Sequence, residues 1–150
     1  TGGCVVVIGK AGRNFGAGME VGRQVIDDAG DFVGSSFVYA TARDFARFGL
    51  FMLGGGKVNG EPVLPDDWIA SATTGQVGIG VPGRGYGYQW WRLDASGLDV
   101  WAGLGFGGQN LVVIPDRGLV GVINSWNVFG PEPPLVVPFI DALIEASDGD

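Results

Sequence analysis

The 150-residue sequence is 46% hydrophobic and 17% charged, enough for one core, and carries a formal net charge of -7 with an isoelectric point near 4.3. Nine Lys and Arg against sixteen Asp and Glu leave no basic surface for phosphates, so no nucleic-acid partner is expected, and no apolar run reaches the roughly 18 residues of a membrane span. With one cysteine, Cys4, and no histidine, the sequence holds no zinc-type ligand set and no Ser-His-Asp or Cys-His nucleophile, and neither metal nor cofactor is expected.

In chain order, residues 1–31 form a segment with little readable pattern. Val5-Val6-Val7-Ile8 suggests a short buried strand, while 9–22 show no period. Asp27, Asp28 and Asp31 fit either a cation site or a solvated acidic loop, and their spacing matches no calcium loop. From residue 32 to 150 the pattern reads as one domain or one piece of a domain. Thr41 stands three residues before Asp44, the spacing of a capping box, and predicts a helix from Ala42 to Leu53. Phe45, Phe48 and Met52 mark its apolar face, with Arg43, Asp44 and Arg47 toward water, and Gly54-Gly55-Gly56 ends it.

Asn59-Gly60 between short extended arms predicts a two-residue hairpin over Lys57–Leu64. Pro65-Asp66-Asp67-Trp68-Ile69 reads as the first turn of a short helix, and Thr73–Gly85 as a Gly-rich loop. Four extended runs follow, Tyr86–Leu93, Leu98–Ala102, Gln109–Ile114 and Leu119–Asn124, joined by short turns that imply antiparallel neighbours. Val136, Phe139, Ile140, Leu143 and Ile144 then mark a closing amphipathic helix over Leu135–Ala146. The fold class is α+β, an antiparallel sheet with helices packed on it.

Four glycines fall in the six positions from Gly103 to Gly108, directly before Gln109 and the run Asn110–Ile114. Glycine loses more conformational entropy on folding than any other residue, so this cluster at a strand mouth needs a reason. One is a bulge or tight bend. The other is an oxyanion-type site, where backbone N–H groups reach a reacting carbonyl because no side chain blocks the approach.

Several segments, taken in order, resemble the serine beta-lactamase-like hydrolases. Gly34 to Gly49 is similar to that family's Ser/Thr-Ala-x-Asp helix opening, Asn59-Gly60-Glu61-Pro62-Val63-Leu64-Pro65 to its hairpin, and Tyr86-Gly87-Tyr88-Gln89-Trp90-Trp91 to its "Y-G-y-x-W-W" strand. Gly105-Phe106-Gly107-Gly108-Gln109 matches its "G-x-x-G-Q" element in the version of the esterase and aminohexanoate-oligomer hydrolase branch, and Leu111–Asp116 with Leu119–Val122 its last strands. The likeness covers about residues 30 to 145 and implies a partial beta-lactamase/transpeptidase-like fold. Within residues 1–31 only Gly18-Met19 resembles the family pattern.

The resemblance implies an acyl-enzyme mechanism: the serine of a Ser-x-x-Lys motif attacks a carbonyl, the lysine and a tyrosine of a Tyr-x-Asn-like motif move protons, and two backbone N–H groups hold the oxyanion. None of Ser35, Ser36, Ser71, Ser96, Ser125 and Ser147 has lysine three places later, and none of Tyr39, Tyr86 and Tyr88 opens a Tyr-x-Asn. The sequence is therefore expected to be the C-terminal portion of a larger hydrolase, inactive alone. Ser125-Trp126-Asn127 matches a Ser-x-Asn motif but falls after the last strand.

By position, Gly105 admits the substrate and the N–H of Phe106 is an oxyanion donor. Gln109 fits either the site wall or a solvent-facing edge-strand amide. Tyr39 fits either the cleft rim or a packed aromatic with its hydroxyl satisfied. Trp90, Trp91, Trp101 and Trp126 fit an acyl pocket or the core. Gly103 stands where the family often has Lys or His, which points to neutral esters or amides as substrates. The alternative is a non-catalytic binding or oligomerisation module, self-associating through an exposed sheet edge and a Trp-rich face.

Overall fold

The computed structural model describes residues 5–8, 38–78, 80, 84–105, 108–124 and 136–148. Three helices, α1 (Ala42–Leu53), α2 (Trp68–Thr73) and α3 (Val136–Asp148), accompany nine strands among these residues. The strands are β1 (Val5–Ile8), β2 (Lys57–Val58), β3 (Glu61–Pro62), β4 (Val77–Gly78), β5 (Gly85–Tyr86), β6 (Trp91–Ala95), β7 (Leu98–Gly105), β8 (Gln109–Ile114) and β9 (Leu119–Ile123). Seven form one sheet in the order β1-β9-β8-β7-β6-β5-β4, and β2 pairs with β3 alone. All pairs in the large sheet are antiparallel except β1 with β9.

Local chemistry explains most of these elements. The Thr41 hydroxyl accepts from the Asp44 N–H at 3.2 Å and the Asp44 carboxylate accepts from the Thr41 N–H at 3.4 Å, closing the capping box, while the hydroxyl also donates to the carboxylate at 2.6 Å. Asn59 and Gly60 both take positive φ, 52° and 86°, which closes the β2–β3 hairpin with the twist its arms need. Ser96 and Gly97 do the same between β6 and β7, with φ of 54° and 73°.

Two cores lie on opposite faces of the sheet. Strand alternation sends Leu111, Val113, Val120 and Val122 to α1 and α2, where they meet Ala42, Ala46, Met52, Ala72 and Trp90. It sends Val100, Ala102, Val112, Ile114 and Leu119 to the other face, against Val136, Phe139, Ile140 and Leu143 of α3. Each fully buried branched side chain contributes about 1.5–3 kcal/mol relative to exposure. Both helices dock on glycines. A Cβ on Gly49 of α1 would stand 2.5 Å from Val120 Cγ1, and one on Gly121 of β9 would collide with Leu143 and stand 2.8 Å from Phe139 Cζ.

The structure corrects five expectations. The deepest face of α1 is Ala42, Ala46, Gly49 and Met52, with Phe45 and Phe48 half-buried, because small residues let the helix lie close to the sheet. Asp44 does not face water: it is 1% exposed, satisfied by Thr41 and by Arg47 at 3.1 Å. The second helix starts at Trp68, since residues 65–67 form a turn in which the Trp68 N–H donates to the Pro65 carbonyl at 3.0 Å. The Gly-rich loop contains β4, which pairs with β5. The run Tyr86–Leu93 is no single strand but a hairpin, β5 and β6 joined by residues 87–90.

Candidate active site

The first strand of the glycine-rich hairpin is longer than its sequence suggests, for β7 runs on through Gly103 to Gly105. Gly103 pairs with Leu111 and Gly105 with Gln109 across the β7–β8 ladder. Gly108, directly before β8, has φ of +85°, a left-handed conformation that favours glycine. The tight-bend reading thus accounts for Gly108.

The other two described glycines differ in kind. A Cβ on Gly105 would meet Gln109 Cβ at 2.9 Å and the Gln109 carbonyl oxygen at 3.2 Å, so close pairing keeps this position bare. On Gly103 the nearest atom would be Leu111 Cβ at 3.8 Å, an ordinary contact. Nothing in the described backbone requires glycine at 103. Alternation puts Trp101, Gly103 and Gly105 on the sheet face that carries α1, where the two glycines form a strip without side chains beyond the half-buried Trp101.

Gln109 lies between Gly105 and the core of β8. Because β8 sits inside the sheet, between β7 and β9, and Gln109 is half-buried, it is not a solvent-facing edge amide. Tyr39, two residues before the Thr41 cap, is 56% exposed and is not a packed aromatic. It belongs to the segment leading into α1 and not to the β7–β8 hairpin. Phe106, Cys4, Asp27, Asp28, Asp31, Gly18-Met19, Gly34–Phe37 of the helix-opening block and Ser125-Trp126-Asn127 lie outside the described residues.

The described tryptophans divide between the faces and act as packing. Trp90 is 5% exposed and stacks on Phe48 with ring centroids 6.2 Å apart. Trp91 packs on the α3 side and meets Tyr86 edge-on at 4.8 Å. Trp101 packs on the α1 side and donates its indole N–H to Asp99 at 3.2 Å, while Arg92 donates to the other carboxylate oxygen at 2.8 Å. The charges nearest the strip along β7 are therefore already paired, and the strip itself is neutral. Among the described residues no group of three or more His, Cys, Asp or Glu could hold a metal ion, and no helix is long and apolar enough to cross a membrane.

One feature escaped the sequence pattern: the 87–90 loop. Trp91 pairs with Ala102, so this loop leaves the sheet at the end where β7 continues into Gly103 and Gly105. Its only sequence signal was a glycine between two tyrosines.

The protein-family model described as Beta-lactamase matches residues 9–141. The chain belongs to this beta-lactamase family. A 6-aminohexanoate-dimer hydrolase of Paenarthrobacter ureafaciens is 32% identical over 111 residues, covering 67% of this chain and 28% of the relative. A solved structure described as "Putative 6-aminohexanoate-dimer hydrolase from Bacillus anthracis" superposes with a TM-score of 0.71 at 30% identity, covering 84% of this chain and 33% of the neighbour. The chain thus spans about a third or less of the length of these relatives. Its helices and antiparallel sheet are those of the beta-lactamase-like hydrolase fold, as the resemblance implied.

Proposed function

We propose that this chain forms the oxyanion side of an acyl-transfer site in a beta-lactamase-like serine hydrolase acting on neutral esters or amides, and that it is inactive alone. The supporting observation is the bare strip Gly103–Gly105, in register with Leu111 and Gln109 directly before Phe106. In this reading a serine Oγ attacks the carbonyl carbon, and the resulting oxyanion accepts a hydrogen bond from the Phe106 N–H. Collapse expels an alcohol or amine and leaves the acyl-enzyme, which water then hydrolyses. The Ser-x-x-Lys and Tyr-x-Asn groups that the family uses for this are absent from these 150 residues. Gln109 walls the strip, and Tyr39 contributes to the rim. The names of the two relatives favour an amide over an ester as the bond cleaved.

The test has two parts. The purified chain should hydrolyse 4-nitrophenyl butyrate and a chromogenic cephalosporin at no more than the background rate and take no fluorophosphonate label; protein-dependent turnover would overturn the assignment of a missing nucleophile. A chimera carrying residues 38–145 in place of the aligned segment of the Paenarthrobacter hydrolase should cleave the 6-aminohexanoate dimer. There Phe106→Pro, which removes the N–H, should lower kcat by about 10²–10³. An unchanged kcat in that variant contradicts the donor role.

A second reading, a non-catalytic self-associating module, draws on Val77, which is 63% exposed on β4 at one edge of the described sheet. Sedimentation that shows only monomer at high concentration removes it.

A further inference from the structure

The loop between β5 and β6 is held from three directions. The Gly87 N–H donates to the Trp90 carbonyl at 2.8 Å, closing the turn, and the Tyr88 N–H donates to the carbonyl of Ala72 near the end of α2 at 3.0 Å. The Tyr86 hydroxyl donates to the Gln89 side chain at 3.1 Å. Within this frame Gln89 takes φ of +64°, a left-handed conformation that glutamine rarely adopts. Such backbone persists only where the surroundings over-determine it. Trp90, buried against Phe48, anchors the loop to the core.

The residue this frame presents is Tyr88, 53% exposed, while its neighbour Trp90 is 5% exposed. Placement gives the exposure a meaning. Trp91 is in register with Ala102, so the chain that precedes it leaves the sheet beside the residues that follow Ala102, namely Gly103, Leu104 and Gly105. Adjacent strands lie about 4.8 Å apart, within reach of an aromatic side chain. The only exposed aromatic side chain of the loop thus stands at the sheet end where β7 offers no side chain on its α1 face.

We propose that Tyr88 is a specificity-determining contact: its ring forms one wall for the apolar chain of a neutral ester or amide lying along Gly103 and Gly105. The proposal rests on the reading of that strip as a substrate site and adds which side chain grips the substrate beside it. An aromatic ring on a rigid loop gives contact area with little entropy lost on binding.

The chain itself serves for the test, with N-butylbutanamide as the neutral probe, read by saturation-transfer NMR. Three variants are compared with the parent by the same thermal melt: Tyr88→Ala, Tyr88→Phe and Gly103→Leu, the last filling a position whose nearest neighbour would be 3.8 Å away. The expected result is transfer to the butyl protons in the parent and in Tyr88→Phe, and at least a threefold loss in Tyr88→Ala and Gly103→Leu, with melting temperatures unchanged. No transfer in the parent, or undiminished transfer in Tyr88→Ala, overturns the role of Tyr88. Loss in Gly103→Leu but not in Tyr88→Ala retains the strip and rejects the ring. Loss in Tyr88→Ala but not in Gly103→Leu supports the ring as a ligand contact and rejects the strip.

Discussion

The backbone at Gly87 passes so close to Ala72 that a Cβ on residue 87 would collide with the Ala72 carbonyl oxygen, the same oxygen that accepts from the Tyr88 N–H. The joint between α2 and the β5–β6 hairpin is therefore backbone against backbone, with no flexible side chain to yield. Gly87→Ala should destabilise the fold by about 1–3 kcal/mol, the usual range for overpacking, in urea unfolding. Gly78→Ala is the control: nothing lies within 4 Å of its would-be Cβ, and a change within about 0.5 kcal/mol is expected.

The helix contacts at Gly49 and Gly121 should be equally intolerant. Gly49→Ala gains about 1 kcal/mol of helix propensity, yet the new methyl meets the stiff Val120 side chain, so a net loss in melting temperature is expected. Gly121→Val should cost more, because its branched side chain drives α3 off the sheet through both Leu143 and Phe139.

Thr41→Ala removes one half of the capping box and should cost about 1 kcal/mol. Asp44→Ala should cost more, because it deprives both Thr41 and Arg47 of their acceptor and empties a site that is 1% exposed. Chemical denaturation of the two single variants and the double variant checks this. The double should fall short of the sum, since the two residues share hydrogen bonds.

Trp90→Ala should cost about 3–5 kcal/mol, as large-to-small changes of buried aromatics do. Because Trp90 anchors the 87–90 loop through Phe48, the same change should release Tyr88, detected as increased iodide quenching of tyrosine emission.

What the sequence made legible was local. Thr41 with Asp44, and Asn59 with Gly60, set conformations through bonds a few residues long, and α1 and the β2–β3 hairpin stand where those signals put them. The break inside Tyr86–Leu93 depends on Ala72, fifteen residues before Gly87, so the unbroken aromatic run looked like one strand. Pro65 misled for a similar reason: its ring suits a first helical residue and a turn alike, and the chain uses it in the turn. In the site, the pairing of Gly105 with Gln109 follows from their places at the hairpin ends. Gly103 and Gly105 look equivalent as letters, and only Leu111 and Gln109 across the ladder show that one is confined and the other open.

Val120 and Gly121 are successive residues of β9, the first pressed by Gly49 of α1 and the second by Leu143 and Phe139 of α3. The two helices thus squeeze one strand from opposite sides at neighbouring positions, which leaves water little room to enter. In deuterium uptake, the amides around this point should be the last to exchange, and the rate there becomes a gauge of global opening.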